Sequence, residues 1–284
     1  MQYKMKVFTL VGVILLAFFF VPKAYAVVEI SDGSIKTLWH MEDATDSSGN
    51  GKNLTATGGS FTCTGKLGAG CWDSLSTTAN LNNLILTATS GLPTGDFTIG
   101  YWMNVQTAMA TGYTLGGKTE VDVGFAYNAL CVANSFEFKV QNTCPSFTAF
   151  NLGTATWKFV VLERLGTKSD LWVDNALNGN ETDGDALVWA LFRINGLGFV
   201  GAGGDTGHDF LIDEVFLSNV AISTSTRDSL YNTGTGDTIC VTVGCATPAS
   251  AAPRRKNPSP SLINKLEIPN LLSDFRALIN ISYI

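Results

Sequence analysis

Phe97-Thr98-Ile99-Gly100-Tyr101-Trp102-Met103 decides the fold of this chain. Aromatic and β-branched residues dominate the stretch, and alternation puts Phe97, Ile99, Tyr101 and Met103 on one face. A period of two is that of a strand with one side on a core and the other towards solvent or a second layer. Outward from it the same signal recurs in short runs. Ile35 to Trp39 alternates, Leu84-Ile85-Leu86 is a short apolar run, and Phe136 to Val140 alternates cleanly. Lys158 to Glu163, Asp170 to Val173, Gly196 to Val200 and Phe210 to Leu217 complete the set. Gly, Asn, Asp and Ser cluster between the runs, as turns require. Many short strands without intervening helical periods predict an all-β, two-sheet antiparallel sandwich rather than βαβ units. One short helix is expected near the end, over Thr224 to Tyr231. Ser223 would cap it, and Leu230 and Tyr231 would dock it on the sandwich.

The ends of the chain read differently. Lys4 and Lys6 precede an apolar run from Val7 to Val21, and Ala24-Tyr25-Ala26 has the small-x-small form of an export cleavage site. Residues 1–26 are therefore expected to be a signal peptide, with the mature chain starting at Val27. The run is shorter than the roughly 17–25 residues that span a bilayer, which disfavours an uncleaved anchor. Residues 27–245 form the expected single domain. Residues 246–284 begin as an Ala-, Pro- and Ser-rich linker with Arg254-Arg255-Lys256 and continue as an apolar tail. That tail is either loosely packed or a surface-attachment segment.

Charge narrows the partners. Residues 27–245 carry 10 basic and 22 acidic side chains, a net of −12. An acidic body without a basic patch argues against nucleic acid, whose phosphates need Lys and Arg. It is compatible with solubility outside the cell and with cation binding. All six cysteines lie in the exported part, which suggests disulfides. Six allow 15 pairings, and the simplest is three local ones: Cys63–Cys71, Cys131–Cys144 and Cys240–Cys245. A metal cluster is disfavoured, with no C-x-x-C and only His40 and His208 available.

Five pieces in order now carry a family resemblance. Trp39-His40-Met41-Glu42 with Asp46-Ser47-Ser48-Gly49-Asn50-Gly51 is similar to the opening of a laminin-G-like jelly roll, and Gly65-Lys66-Leu67-Gly68 to its next turn. Phe97-Thr98-Ile99 with Trp102 resembles its inner strand. Trp157 to Val161, Gly166 and Leu171 to Asn175 resemble its central hairpin. Phe210 to Val215, then Ala221-Ile222-Ser223 and Leu230-Tyr231-Asn232, resemble its closing strand and helix. The resemblance is to the laminin-G-like branch of the concanavalin-A-like lectin and glucanase superfamily. It implies a jelly roll with binding at rim loops or on a concave face, while one fold hosts many activities.

Three kinds of site follow. The resemblance implies a structural calcium, which takes about 6–8 oxygen ligands. Asp46 and Asp213 are the first candidates, with Glu42 or Asn50 nearby. Strand alternation predicts that Asp213 and Glu214 point to opposite faces. The bland alternative is that Asp46 makes an Asx-turn and Asp213 caps loop amides. Glycans need flat aromatic faces beside a few polar groups. Trp72, Tyr113, Trp189 and Phe192 lie near turns, and Asp205 sits in the polar loop from Gly203 to Asp209. Ordinary packing is the competing reading for each aromatic. Trp39, Trp102, Trp157 and Trp172 fit core positions. Catalysis is the third. Glu120-Val121-Asp122-Val123-Gly124 partly resembles the glucanase nucleophile strand, but Gly124 stands where the acid/base Glu belongs, and two carboxyl groups are needed. No G-x-S-x-G elbow is present. The expectation is a secreted, non-catalytic domain that recognises a glycan or an extracellular protein. The alternative is a structural or adhesive surface component, with a glucanase relative a distant third.

Overall fold

The structure is a computed structural model. It describes residues 27–30, 34–75, 82–108, 112–117, 123–127, 136–140, 146–147, 151–182, 187–195 and 208–240. Residues 1–26 and 241–284, which hold the expected leader and tail, lie outside them, as does the Gly196 to Val200 run.

The fold is the expected all-β sandwich. The larger sheet is centred on β6 (Phe97–Val105), between β11 (Trp157–Leu165) and β15 (Phe210–Ser218), both antiparallel to it. Beyond β11 come β12 (Lys168–Val173), β13 (Ala176–Thr182) and the short β10 (Ser146–Phe147). Beyond β15 lies β2 (Ile35–Trp39), and β4 (Trp72–Asp73) pairs with the other end of β15. The smaller sheet runs β3 (Thr55–Thr57), β5 (Asn83–Leu86), β14 (Phe192–Ile194), β7 (Gly112–Gly116), β8 (Val123–Tyr127) and β9 (Phe136–Val140). A separate parallel pair joins β1 (Val27–Glu29) to β16 (Thr238–Cys240).

The decisive stretch is buried on both faces. Phe97, Ile99, Tyr101 and Met103 enter the core between the sheets with Leu84, Leu115, Phe125, Phe192 and Ile194. The alternate residues meet a second apolar layer. Trp102 packs there with Phe159, Val161, Phe216, Leu67, Leu230 and Ile239. That layer is roofed by the helix α1 (Thr224–Tyr231), whose Tyr231 ring stacks on Trp102 and Phe159 at centroid distances of 6.2 and 6.4 Å. The Ser223 hydroxyl caps α1 by accepting the Thr226 amide at 3.1 Å, and Asn232 ends it in a left-handed conformation. The helix therefore starts and stops where its capping residues place it.

Gly100 faces this second layer. A Cβ there would come within 2.3 Å of the Phe216 ring. Gly100→Ala must push that ring aside between Trp102 and β2, an overpacking that costs about 1–3 kcal/mol. A urea titration is expected to show the loss with an unchanged m-value. A change under about 0.5 kcal/mol would mean that the layer is looser than drawn.

One of the three expected disulfides is seen, Cys63–Cys71, with Cα atoms 5.3 Å apart. Cys131, Cys144, Cys245 and the Cys240 side chain lie outside the described residues.

Candidate functional site

Two places gather chemistry-bearing groups: a buried carboxylate cluster on the outer side of the larger sheet, and a polar cleft at one end of the sandwich.

The cluster begins with a break in β15. Its pairing with β6 shifts between Asp213 and Phe216, and Glu214 adopts a φ of 50°. Ile212 and Val215 both enter the core between the sheets. The two residues between them therefore both lie away from it. This corrects the expectation from alternation that Asp213 and Glu214 face opposite ways. A β-bulge adds a residue and re-aims its neighbours.

Both carboxylates are buried. Asp213 accepts the Leu67 amide at Oδ2, 2.8 Å, and the Glu214 amide at Oδ1, 2.9 Å. Burial, then the neighbouring Glu214 charge, push its pKa up to about 8 despite those amides. Glu214 Oε1 lies 2.8 Å from His40 Nδ1. Burial raises the Glu214 pKa against the pull of His40. For His40, burial pulls down, but Glu214, Glu42 and Asp213 together push up by more.

The loop from Gly65 to Gly70 closes over this cluster. A Cβ on Gly65 would meet the Gly70 carbonyl, the Leu67 carbonyl and Asp213 Oδ2 at 2.0, 2.6 and 2.8 Å. Three oxygens thus converge on the bare face of this glycine. Glu42 Oε1 accepts the Ala69 amide from the same loop. The donor set is hard oxygen, the chemistry of a calcium site. Among the described residues no three His, Cys, Asp or Glu side chains group as metal ligands, so carbonyls would have to supply the rest.

Asp46 and Asn50 are placed elsewhere. Asp46 Oδ1 accepts the Leu38 and Ser48 amides, and Oδ2 accepts the Lys52 amide and the Ser48 hydroxyl. A carboxylate has about four lone-pair sites, and all are engaged. Asn50 Nδ2 donates to the Ile35 carbonyl at 3.0 Å. These two residues lock the Asp46 turn to β2. Of the four candidate ligands, Asp213 and Glu42 are the two that bond the Gly65 to Gly70 loop.

The candidate sugar-stacking aromatics are also relocated. Trp72 is fully buried and packs edge-on against Phe210. Trp189 and Phe192 pack on one another and belong to the core between the sheets. Their proximity to turns reflects short strands rather than exposure. The Tyr113 side chain and Asp205 lie outside the described residues, as do Glu120 and Asp122. Gly124 is on β8, opposite Gly116 and Lys139.

The cleft was missed by sequence reading. It measures about 390 Å³ and is lined by Lys36, the stretch from Gly91 to Asp96, and Asn219. Ser90-Gly91-Leu92-Pro93-Thr94-Gly95-Asp96 reads as a turn between β5 and β6, and its Gly/Pro density was its signal.

No protein-family model and no curated protein matches the chain in sequence. Solved structures match in fold. Domain 4 of AbnA, a GH43 extracellular arabinanase from Geobacillus stearothermophilus solved with arabinotriose, is 14% identical at a TM-score of 0.55, covering 70% of this chain and 99% of that one. The binding domain of botulinum neurotoxin serotype D/C is 12% identical at a TM-score of 0.54, covering 70% of this chain and 52% of that one. The serotype C1 binding domain is similar at 12% and 0.53. This chain spans about half the length of those toxin domains. The protein is thus of the β-sandwich class that these binding domains share.

Proposed function

We propose that this protein is an extracellular, non-catalytic recognition domain of laminin-G-like type that binds a glycan, its loops set by a calcium ion. The likeness to the arabinanase domain, over nearly all of that domain and with a saccharide bound there, carries this reading. Burial of the perturbed groups supports it. Asp213, Glu214 and the half-buried His40 are engaged with loops and one another, and an acid/base pair must instead reach its substrate. The Cys63–Cys71 bond supports export to an oxidising compartment.

Glu42 and Asp213, with the Leu67 and Gly70 carbonyls, would hold the calcium. The ion would neutralise buried carboxylates and fix the loop over the second apolar layer. Thermal unfolding of the exported chain, in calcium and then in chelator, tests this part. Calcium at 100 times its Kd is expected to stabilise by about 2.7 kcal/mol. Asp213→Asn and Glu42→Gln should each remove most of that gain. An unchanged Tm would discard the calcium and leave the recognition reading intact. That reading is tested by a glycan array probed with the exported chain. Binding to a defined saccharide class supports it, and binding to none rejects it.

A further inference from the structure

The cleft beside Lys36 differs from a chance groove in how firmly its wall is held. The stretch from Gly91 to Asp96 carries no regular secondary structure, yet it and the residues just before it are tied at several points. Lys52 Nζ donates to the Ala88 and Ser90 carbonyls at 2.9 and 2.7 Å. Thr89 Oγ1 donates to the Trp189 carbonyl at 2.8 Å, and Trp189 Nε1 returns a bond to the Pro93 carbonyl at 2.7 Å. The Leu187 amide donates to the Thr94 carbonyl, and the Gly166 amide to Asp96 Oδ1 at 2.7 Å. Opposite, the Asn219 amide is tied to the Ser34 carbonyl at 2.9 Å. Trp189, expected from sequence to stack on a sugar, thus acts behind the wall as its buttress. A wall set before binding loses little freedom when a ligand arrives.

The groups presented into the cleft are of mixed kind. Thr94, Asp96 and Asn219 are exposed, and Leu92 and Pro93 are buried beneath them. Asp96 Oδ2, the Thr94 hydroxyl and the Asn219 side-chain amide have no hydrogen-bond partner among the described residues, whereas Asp96 Oδ1 is fixed. Lys36 also lines the cleft. Acceptor, donor and amphoteric groups stand together on a mainly polar surface. A hydroxyl group both donates and accepts, so a polyhydroxy ligand matches this set. A phosphate or sulfate would face the Asp96 carboxylate. A protein side chain of hot-spot type would need a deeper apolar pocket. The volume lies in the lower part of the ~300–1,000 Å³ range of small-ligand sites.

We propose that the cleft formed by Lys36, Thr94, Asp96 and Asn219 is the saccharide-binding site, and that it takes a short neutral oligosaccharide. The proposal rests on the recognition reading above and names its site. Hydroxyls bridge Asp96 Oδ2 and the Asn219 amide, with the Thr94 hydroxyl beside them.

The test uses the exported chain and four variants: Asn219→Ala, Thr94→Ala, Asp96→Asn and Gly95→Tyr. A Cβ on Gly95 meets nothing within 4 Å, so the tyrosine projects into space without straining the fold. Probes are arabinotriose, xylotriose and mannotriose as neutral ligands and trigalacturonate as an acidic one, read by calorimetry. Wild-type binding to a neutral trisaccharide is expected. Asn219→Ala and Asp96→Asn should lose roughly tenfold each, and Gly95→Tyr should abolish binding with Tm unchanged. Neutral binding that survives Gly95→Tyr overturns the cleft but keeps the recognition reading. Binding to trigalacturonate alone overturns the ligand class. Binding to no saccharide, in calcium or without, overturns both the cleft and the reading on which it rests.

Discussion

Arg227→Ala is expected to destabilise the domain by about 1–3 kcal/mol, the cost of leaving a half-buried carboxylate without its partner. Arg227 projects from α1 onto the outer side of the larger sheet and is buried. Its Nη1 donates to both Glu163 oxygens at 2.9 and 2.8 Å, and its Nε to Asn175 Oδ1 at 2.8 Å. The guanidinium lies 3.6 Å over the Trp172 ring. Three elements, β11, β12 and the turn after it, are thus pinned to one side chain. Burial, with a smaller push from Asp170, raises the Glu163 pKa even against the attraction of Arg227. The pair is costly to break but not a large net stabiliser. That gives the prediction a second arm. Glu163→Leu with Arg227→Met, which removes both charges and keeps volume, should recover at least half of the single-variant loss. Urea unfolding of the wild type and these two variants decides it. A loss under about 1 kcal/mol for Arg227→Ala would mean that α1 is held by Leu230 and Tyr231 alone.

Strand pattern made most of the fold legible, and the reason is visible at β6. Phe97, Ile99, Tyr101 and Met103 had to face a core, whatever lay on the other side. That the other side is a second core was not legible. Gly100 and Trp102 face residues that arrive from sequence positions as distant as Leu67, Phe216 and Tyr231. The helix was legible because its signals are local, a capping Ser223 and a terminating Asn232. Short strands such as β14 were not, since Phe192–Ile194 offers too few residues to show a period.

The candidate site was legible by residue type and not by geometry. Glu42, Asp213 and the turn from Gly65 to Gly68 were all singled out, but alternation assigned Asp213 and Glu214 to opposite faces. A bulge is set by register against a neighbouring strand, which pattern within one strand does not contain. The cleft failed differently. Its walls come from a turn, a strand start and a strand end, each unremarkable alone. Proximity to a turn likewise suggested exposure for Trp72 and Trp189, whereas in a sandwich of short strands a core ring is seldom far from a turn.

The second large effect concerns pH. In chelator, stability is expected to fall as pH rises from about 4 to 8. The folded Asp213 holds its proton up to about 8, whereas an unfolded Asp releases it near 3.9. Between those values the folded state binds more protons than the unfolded state, so stability decreases with increasing pH. The contribution is fully present below the unfolded value and is lost as pH rises through the folded one. Four pKa units correspond to an upper bound on the order of 5 kcal/mol. Glu214 and His40, both shifted upward, act in the same direction. General repulsion in an acidic protein does too, which is why a variant is needed. Asp213→Asn has no proton to lose and should flatten the slope over this window, whatever its absolute stability. Tm measured at pH 5, 6, 7 and 8 in chelator reads this directly. A wild-type Tm that rises with pH would show that Asp213 is ionised in the fold, held by the Leu67 and Glu214 amides. Added calcium separates the remaining cases. A cation on Glu42 and Asp213 displaces the proton, so its stabilisation should grow from pH 5 to 8. Stabilisation independent of pH would place any bound calcium away from this cluster.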